Sequence, residues 1–272
     1  MLKLNELTYP AVMGILNVTP DSFSDGGDFF SPEKALQHAL EMVEEGAAII
    51  DIGGESTRPG AETVSVDEEL SRVIPVIEAL SAEVDIPISI DTSKPAVMRA
   101  AVAAGASMIN DVRALQEAGA LEAAVDLQVP VCLMHMQGEP QTMQSAPMYD
   151  DVVLQVGDFL QQRVQACIDA GLSRELIVID PGFGFGKTVG HNQALLKGLD
   201  RLLELELPIL VGLSRKSMIA HMLDLAVDER LYGSISLASV AVWQGASIIR
   251  AHDVAATLQA VRVSYMCRST GK

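Results

Sequence analysis

Residues 103–112 read AAGASMINDV, residues 44–53 EEGAAIIDIG and residues 243–252 WQGASIIRAH. Each stretch leaves a helix-like segment through a glycine and a small residue, then enters a short apolar run that ends on a polar side chain. Glycine at a helix C-cap is a common exit into the next element, so the three stretches are versions of one helix-to-strand connection. The runs themselves are short and continuously apolar, as strands buried on both faces are. Five further runs have the same form: MGILN ending at Asn17, PISID at Asp91, CLMH at His135, LIVID at Asp180 and LVGLS at Ser214. With Asp51, Asn110, Asp111, Arg250 and His252 from the first three stretches, eight runs are each tipped by a potential ligand group. Eight such units in series predict an α/β fold, a (β/α)8 TIM barrel, in which the carboxyl ends of the strands converge on one face and carry the chemistry.

The strands are expected at 12–17, 48–53, 87–91, 107–111, 130–135, 176–180, 208–213 and 247–251. Ser31-Pro32-Glu33 opens a helix, with serine at the N-cap and proline at the first helical position. No linker or charge run divides the chain, so residues 1–272 form one domain with a core over 11–262. Residues 1–10 are expected to make a short N-terminal hairpin closing the barrel bottom, and SYMCRSTGK at 264–272 to fray. The first two βα loops, 18–30 and 54–66, are long and dense in Gly, Ser, Thr, Asp and Pro. Loops of that length on a catalytic face commonly order around substrate.

Composition narrows the function. Of 272 residues 49% are hydrophobic, and the net charge is −17. That charge argues against nucleic acid and against an anionic membrane surface as partners. An anionic substrate would need a local basic cluster. Cys132, Cys167 and Cys267 are scattered and odd in number, which fits free thiols in a reducing compartment. MLKLNELTYP lacks the apolar segment of a signal peptide and no run approaches a membrane span, so a cytoplasmic protein is expected.

Asp91 and Asp180 end strands three and six, and Asn110 lies near the end of strand four. Two carboxylates and an amide at one mouth suit a metal, acid–base work, or a heterocycle with an amidine-like edge. A carboxylate accepts two parallel N–H bonds from such an edge. No histidine cluster joins them at zinc-ligand spacing. A local helix cap is the alternative for Asp91-Thr92-Ser93. Arg250 and His252 are two apart and share a face. Lys216 and Arg215 follow strand seven in GLSRKS, and Arg58 lies in the second loop. Loops after strands seven and eight commonly form a phosphate site, and Lys216-Ser217 would open a helix. These cations suggest a phosphorylated or pyrophosphorylated substrate. PGFGFGKT at 181–188 fails the P-loop pattern, because Pro181 stands where the first glycine is needed. It reads instead as a close-packed loop placing Phe185 beside the mouth. Met134 and His135 are as compatible with a core role as with a site.

At these residues the chain resembles the dihydropteroate synthase family. MGILNVTPDSFSDGG (13–27) and DIGGESTRPGA (51–61) match that family's signature loops, and IDTSKPAV, IND, MHMQGEP, DPGFGFGKT, GLSRKS and RAHD follow in its order. The resemblance spans 11–262, loosest at 112–129 and 222–229. It implies a transferase of folate biosynthesis, a sulfonamide target. The reaction joins 6-hydroxymethyl-7,8-dihydropterin pyrophosphate to p-aminobenzoate, releasing pyrophosphate and 7,8-dihydropteroate. It implies Asp91, Asp180, Lys216 and Arg250 as catalytic, and Asp91, Asn110, Met134, Asp180, Phe185, Gly212 and Lys216 around the pterin. Asn17, Thr57, Arg58, Arg250 and His252 would hold the pyrophosphate, Asn17 through Mg2+. Phe23, Thr57, Pro59, Lys216 and Ser217 would border the p-aminobenzoate. The family pairs through its late helices, which suggests a homodimer, and SISLASVAVW at 234–243 is apolar enough for burial on several sides.

Two rival readings share part of this pattern. A corrinoid-linked methyltransferase binding methyltetrahydrofolate would share the ring-gripping residues but has no use for a pyrophosphate site, or for TPDSFSDGG and SRKS. A non-catalytic pterin-binding paralogue would be favoured by lost loop residues, and none is missing.

Overall fold

A computed structural model describes residues 4–8, 10–19, 31–57, 60–61, 63–139 and 142–269. Eight parallel strands run β1 (Ala11–Asn17), β2 (Ile49–Gly53), β3 (Ile88–Asp91), β4 (Met108–Asp111), β5 (Val131–Met134), β6 (Ile177–Asp180), β7 (Leu210–Gly212) and β8 (Ile248–Ala251). Their order around the sheet is β6-β5-β4-β3-β2-β1-β8-β7. The ring closes between β6 and β7 through a single parallel bridge, Ile179 to Ile209, with Ile179 N–H donating to Pro208 O at 3.0 Å. Strands α-linked in this way form the expected barrel, with every strand within a residue or two of its expected limits.

The helices are α1 (Pro32–Glu44), α2 (Val66–Glu83), α3 (Pro95–Ala103), α4 (Ala120–Leu127), α5 (Val152–Asp169), α6 (Val189–Lys197), α7 (Ser217–Leu223), α8 (Leu231–Trp243) and α9 (Val254–Ser269). Side-chain caps start several of them: Ser31 accepts from Lys34 N at 3.3 Å and Ser65 from Glu68 N at 3.2 Å. Such caps satisfy an N–H that the first helical turn leaves unpaired.

Two apolar layers follow from the strand period of two. One face of the strands packs outward on the helices, with Ile50, Ile90, Ile109, Leu133, Ile179 and Ile249 among the buried residues. The other face fills the barrel, where Met13, Ile49, Met108, Cys132, Val178, Leu210 and Ile248 form a separate buried cluster. Two residues further along the same face stand Asp51, Asn110, Met134, Asp180, Gly212 and Arg250. The floor of the mouth is thus apolar and its upper ring polar.

Both ends of the chain differ from expectation. The described residues before β1 form a 3-10 turn, Leu4–Glu6, rather than a hairpin, and Leu4 joins the interior cluster as a plug. The carboxyl end does not fray through Ser269: α9 continues that far because Ser264 donates to Ser239 O at 2.7 Å and Arg268 to Val242 O at 3.3 Å on α8. Tertiary contact sustains a helix whose own apolar period is weak. Truncating Leu4 to alanine should cost about 2–5 kcal/mol. A calorimetric Tm unchanged in Leu4→Ala would show that the plug does not support the barrel.

Candidate active site at the carboxyl ends of the strands

Arg250 lies at the centre of the mouth. Its Nε donates to Asp51 Oδ2 at 2.6 Å and an Nη to Asp91 Oδ2 at 2.8 Å, bridging β8 to β2 and β3. Asn110 Nδ2 also donates to Asp51 Oδ2, at 3.0 Å. Asp51 is fully buried and its Oδ1 has no hydrogen-bond partner among the described residues. Against a burial that would lower it, Asp51 and then Asp91 hold the Arg250 guanidinium above its ordinary range. Burial pushes Asp91 up to about 7, opposed by Arg250 and reinforced by Asp51 and Asp111. Asp180 is raised by burial too, with Lys216 and the Gly182 N–H opposing. Three carboxylates (Asp51, Asp91 and Asp180) face two cations here, Arg250 and Lys216. The surplus negative charge calls for a ligand edge rich in N–H donors.

Asp111, at the same height as Asn110, is structural. It accepts from Ser93 Oγ, and from the backbone N–H of Arg113 at 2.8 Å and Leu115 at 2.7 Å. Ala114 and Leu115 both take positive φ, so this carboxylate holds a strained turn.

The loop after β6 forms one wall. Gly182 has φ +68°, and a Cβ there would sit 1.9 Å from His135 O; at Gly186, with φ +61°, it would sit 2.2 Å from Gln137 O. The close approach fastens the loop to the residues following β5. Buried Lys187 completes the fastening, with its Nζ 2.9 Å from His135 Nδ1 and donating to Gly182 O at 2.8 Å and Phe185 O at 3.1 Å. Burial lowers Lys187 to about 7 and His135 to about 3, the neighbouring Lys187 charge adding to the latter. His135 is therefore a neutral structural imidazole. Asp180 Oδ1 accepts from Gly182 N at 2.7 Å, which aims the carboxyl group along the wall. Lys216 reaches this same loop from beyond β7, donating to Phe183 O and lying 4.8 Å from the centroid of the Phe185 ring. Burial brings Lys216 down to about 8, against the pull of Asp180. Gly212 leaves room between Arg250 and Lys216: a Cβ would stand 3.8 Å from Arg250 Cβ and from Lys216 Nζ. Met134 is buried beside Asp180, its register partner.

Asn17 ends β1 opposite Gly53, and a Cβ on Gly53 would lie 3.4 Å from Asp91 Cβ. His252 is oriented by Ser214, whose Oγ is 3.0 Å from Nδ1 and accepts the His252 backbone N–H at 3.2 Å. Thr57 is half-buried after β2, and Ser217 begins α7. Arg215 is turned away from the mouth. It pairs with Asp253 through two bonds of 3.1 and 2.6 Å, so the basic cluster loses this member. Phe23, Arg58 and Pro59 lie outside the described residues, as does most of the first βα loop. Among the described residues no group of three His, Cys, Asp or Glu side chains could hold a metal ion.

Comparison with known proteins agrees with this geometry. The pterin binding enzyme family matches residues 13–252. The dihydropteroate synthase of Escherichia coli strain K12 is 55% identical over 258 residues, covering 95% of this chain and 92% of that protein. A Yersinia pestis dihydropteroate synthase solved with a sulfonamide drug complex superposes with a TM-score of 0.92 at 53% identity, covering 96% of this chain and 95% of that one. The Xanthomonas albilineans enzyme, solved in complex with 7,8-dihydropteroate, gives 0.88 at 50% identity, with coverage of 97% and 96%. The chain belongs to the pterin binding enzymes. Within that family its relatives are the dihydropteroate synthases, transferases of folate biosynthesis.

Sequence reasoning named Asp51 and Ser214 only as polar strand tips, with no specific role, and did not single out Lys187. Asp51 carries a visible signal, a charge within the apolar run IIDIG at 49–53 that must find a partner inside the barrel. Lys187 carries none, since only the fold reveals its burial.

The raised Asp91 sets a pH dependence of stability. A carboxyl group whose folded pKa exceeds its unfolded value keeps its proton longer in the fold, so stability falls as pH rises from about 4 to about 7. Asp91→Asn removes that titration, and Tm should rise more at pH 8 than at pH 5. An equal change at both pH values would show that Asp91 ionises as an ordinary carboxylate.

Proposed function

We propose that the chain condenses 6-hydroxymethyl-7,8-dihydropterin pyrophosphate with p-aminobenzoate, giving 7,8-dihydropteroate and pyrophosphate. The observation that carries this reading is the shared Arg250 bridge with its carboxylate surplus, which suits a flat N–H-rich ring with an anionic tail. Asp91, Asn110 and Asp180 grip the pterin edge, Met134 and Phe185 wall the slot, and Gly212 leaves space for the ring beside Lys216. Arg250 and His252 meet the diphosphate, with Asn17, Thr57 and Arg58. Phe23, Thr57, Pro59, Lys216 and Ser217 border the aryl amine.

The C–O bond between the pterin methylene and the diphosphate breaks, and the electron pair leaves with pyrophosphate. Cations around the departing oxygens lower that barrier. Positive charge left on the methylene spreads into the ring, where Asp91 and Asp180 stabilise it. The neutral amine nitrogen then attacks, a C–N bond forms, and the nitrogen releases its proton to water. No strong base is required. The donor set fits magnesium: Asn17 offers an amide oxygen, and a hard cation held by few protein ligands takes the rest from phosphate and water. When bound, Mg2+ supplies charge neutralisation on the leaving group.

The surface supports a homodimer. Tyr232, Val240 and Trp243 on α8 and Val263 and Met266 on α9 are large, exposed and close to helical spacing, with Tyr232 at 77% and Met266 at 66% exposure. An apolar stripe over two adjoining helices is the mark of a covered face. No helix among the described residues is long and apolar enough to cross a membrane, which is compatible with cytoplasmic catalysis.

Purified protein should form dihydropteroate from both substrates with stoichiometric pyrophosphate. Under saturating substrates Asp91→Asn should lower kcat at least tenfold. Wild-type protein inactive with these substrates would reject the reading, and an unchanged kcat in the variant would reject the electrostatic role. Trp243→Glu should convert the dimer to monomer in sedimentation equilibrium; wild-type protein sedimenting as a monomer would reject the paired state.

A further inference from the structure

Three charged side chains outside the reacting centre are joined beneath the second βα loop. Lys94 Nζ lies 2.6 Å from Glu55 Oε2 and 2.5 Å from Glu69 Oε2. Glu69, on α2, is fully buried, and its Oε1 has no hydrogen-bond partner among the described residues. Glu55 lies two residues after the end of β2. Its other oxygen accepts from the Val64 backbone N–H at 2.9 Å, so one side chain ties together the two ends of the 55–64 segment. Lys94 stands three residues after Asp91, at the N-cap of α3, where it makes no side-chain cap. The backbone at Gly54 is pressed onto α2, since a Cβ there would meet Val73 Cγ1 at 2.8 Å, and Arg72 donates to Gly54 O at 2.7 Å.

Stability alone is a poor account of this arrangement. An ion pair withdrawn from water often does no better than apolar side chains of equal size, and here two carboxylates share one ammonium, one buried oxygen finding no partner among the described residues. Position is the better account. The triad fixes residue 55 to the segment after β3 and residue 64 to residue 55, and so sets where Thr57 stands two residues further on. Fixing the base in advance removes part of the entropy that binding must otherwise spend.

We propose that Glu55, Lys94 and Glu69 are positioning residues that set the base of the second βα loop and thereby the affinity for the aryl amine, leaving the pterin subsite unaffected. The inference rests on the assignment of Thr57 to the amine and the pyrophosphate. Among the described residues Lys94 Nζ bonds Glu55 and Glu69 and none of the residues assigned to the ring; Glu69 also acts electrostatically on Asp91, so Glu55→Ala separates the two subsites more cleanly than Lys94→Met.

The test measures KM for p-aminobenzoate and the calorimetric Kd of a pterin lacking the diphosphate, in the full-length enzyme. Lys94→Met should raise that KM at least fivefold with pterin Kd within twofold of wild type. Glu55→Ala, at a partly exposed side chain, should do the same and carries the test if Lys94→Met does not fold. Unchanged KM in soluble Glu55→Ala, or parallel weakening of pterin and amine, would overturn the proposal. Thr57→Val is the control: if it leaves the amine KM unchanged, the assignment of Thr57 fails rather than the clamp.

Discussion

The whole mouth depends on one guanidinium serving two carboxylates. Arg250 reaches from β8 to Asp51 on β2 and Asp91 on β3, and Asn110 on β4 completes the link through Asp51. Without it, three acidic groups would crowd one apolar-floored cup, and burying unpaired charge is among the costliest things a fold can do. With it, the acidic excess is reduced but not removed. That residual imbalance is what an incoming ring with N–H donors and a developing positive charge relieves, so the feature that costs the fold stability is the one that favours the transition state.

Much of the architecture was legible because a parallel barrel writes itself in repeats. The three helix–glycine–strand connections and the polar tip of each apolar run located all the strands, and the period of two then places Asp51, Asn110, Asp180 and Arg250 on the same inner face. What was not legible depends on contacts across the chain. Arg215 sits beside Lys216 in sequence, yet Asp253 captures it, and spacing carries no trace of that competition. Lys187 looked like part of a failed nucleotide loop; its role as a fastener of Gly182 and Phe185 to His135 exists only once β5 and β6 lie side by side. The carboxyl helix persists through bonds to α8 that no periodicity announces.

The site is stiff where the ring would lie and economical where the anion would lie. Asp180 is aimed by Gly182, Asn110 by Asp51 and His252 by Ser214, each first contact backed by a second bond that removes a rotamer choice. Such backing is what holds reacting groups within useful tolerance of their partners. The second loop follows the same plan on a larger scale, with residues 55 and 64 pinned together through the Glu55 side chain.

The seam between β6 and β7 gives this barrel the character of a split ring. Elsewhere adjacent strands are laced by continuous ladders, whereas here one bridge at Ile179 and Ile209 spans the gap. Asp180 tops one lip and Gly212 and Lys216 rise from the other, so a molecule gripped by both acts as a clasp. A ligand that bridges those two lips therefore supplies across the seam the strand-to-strand link that hydrogen-bond ladders supply around the rest of the ring.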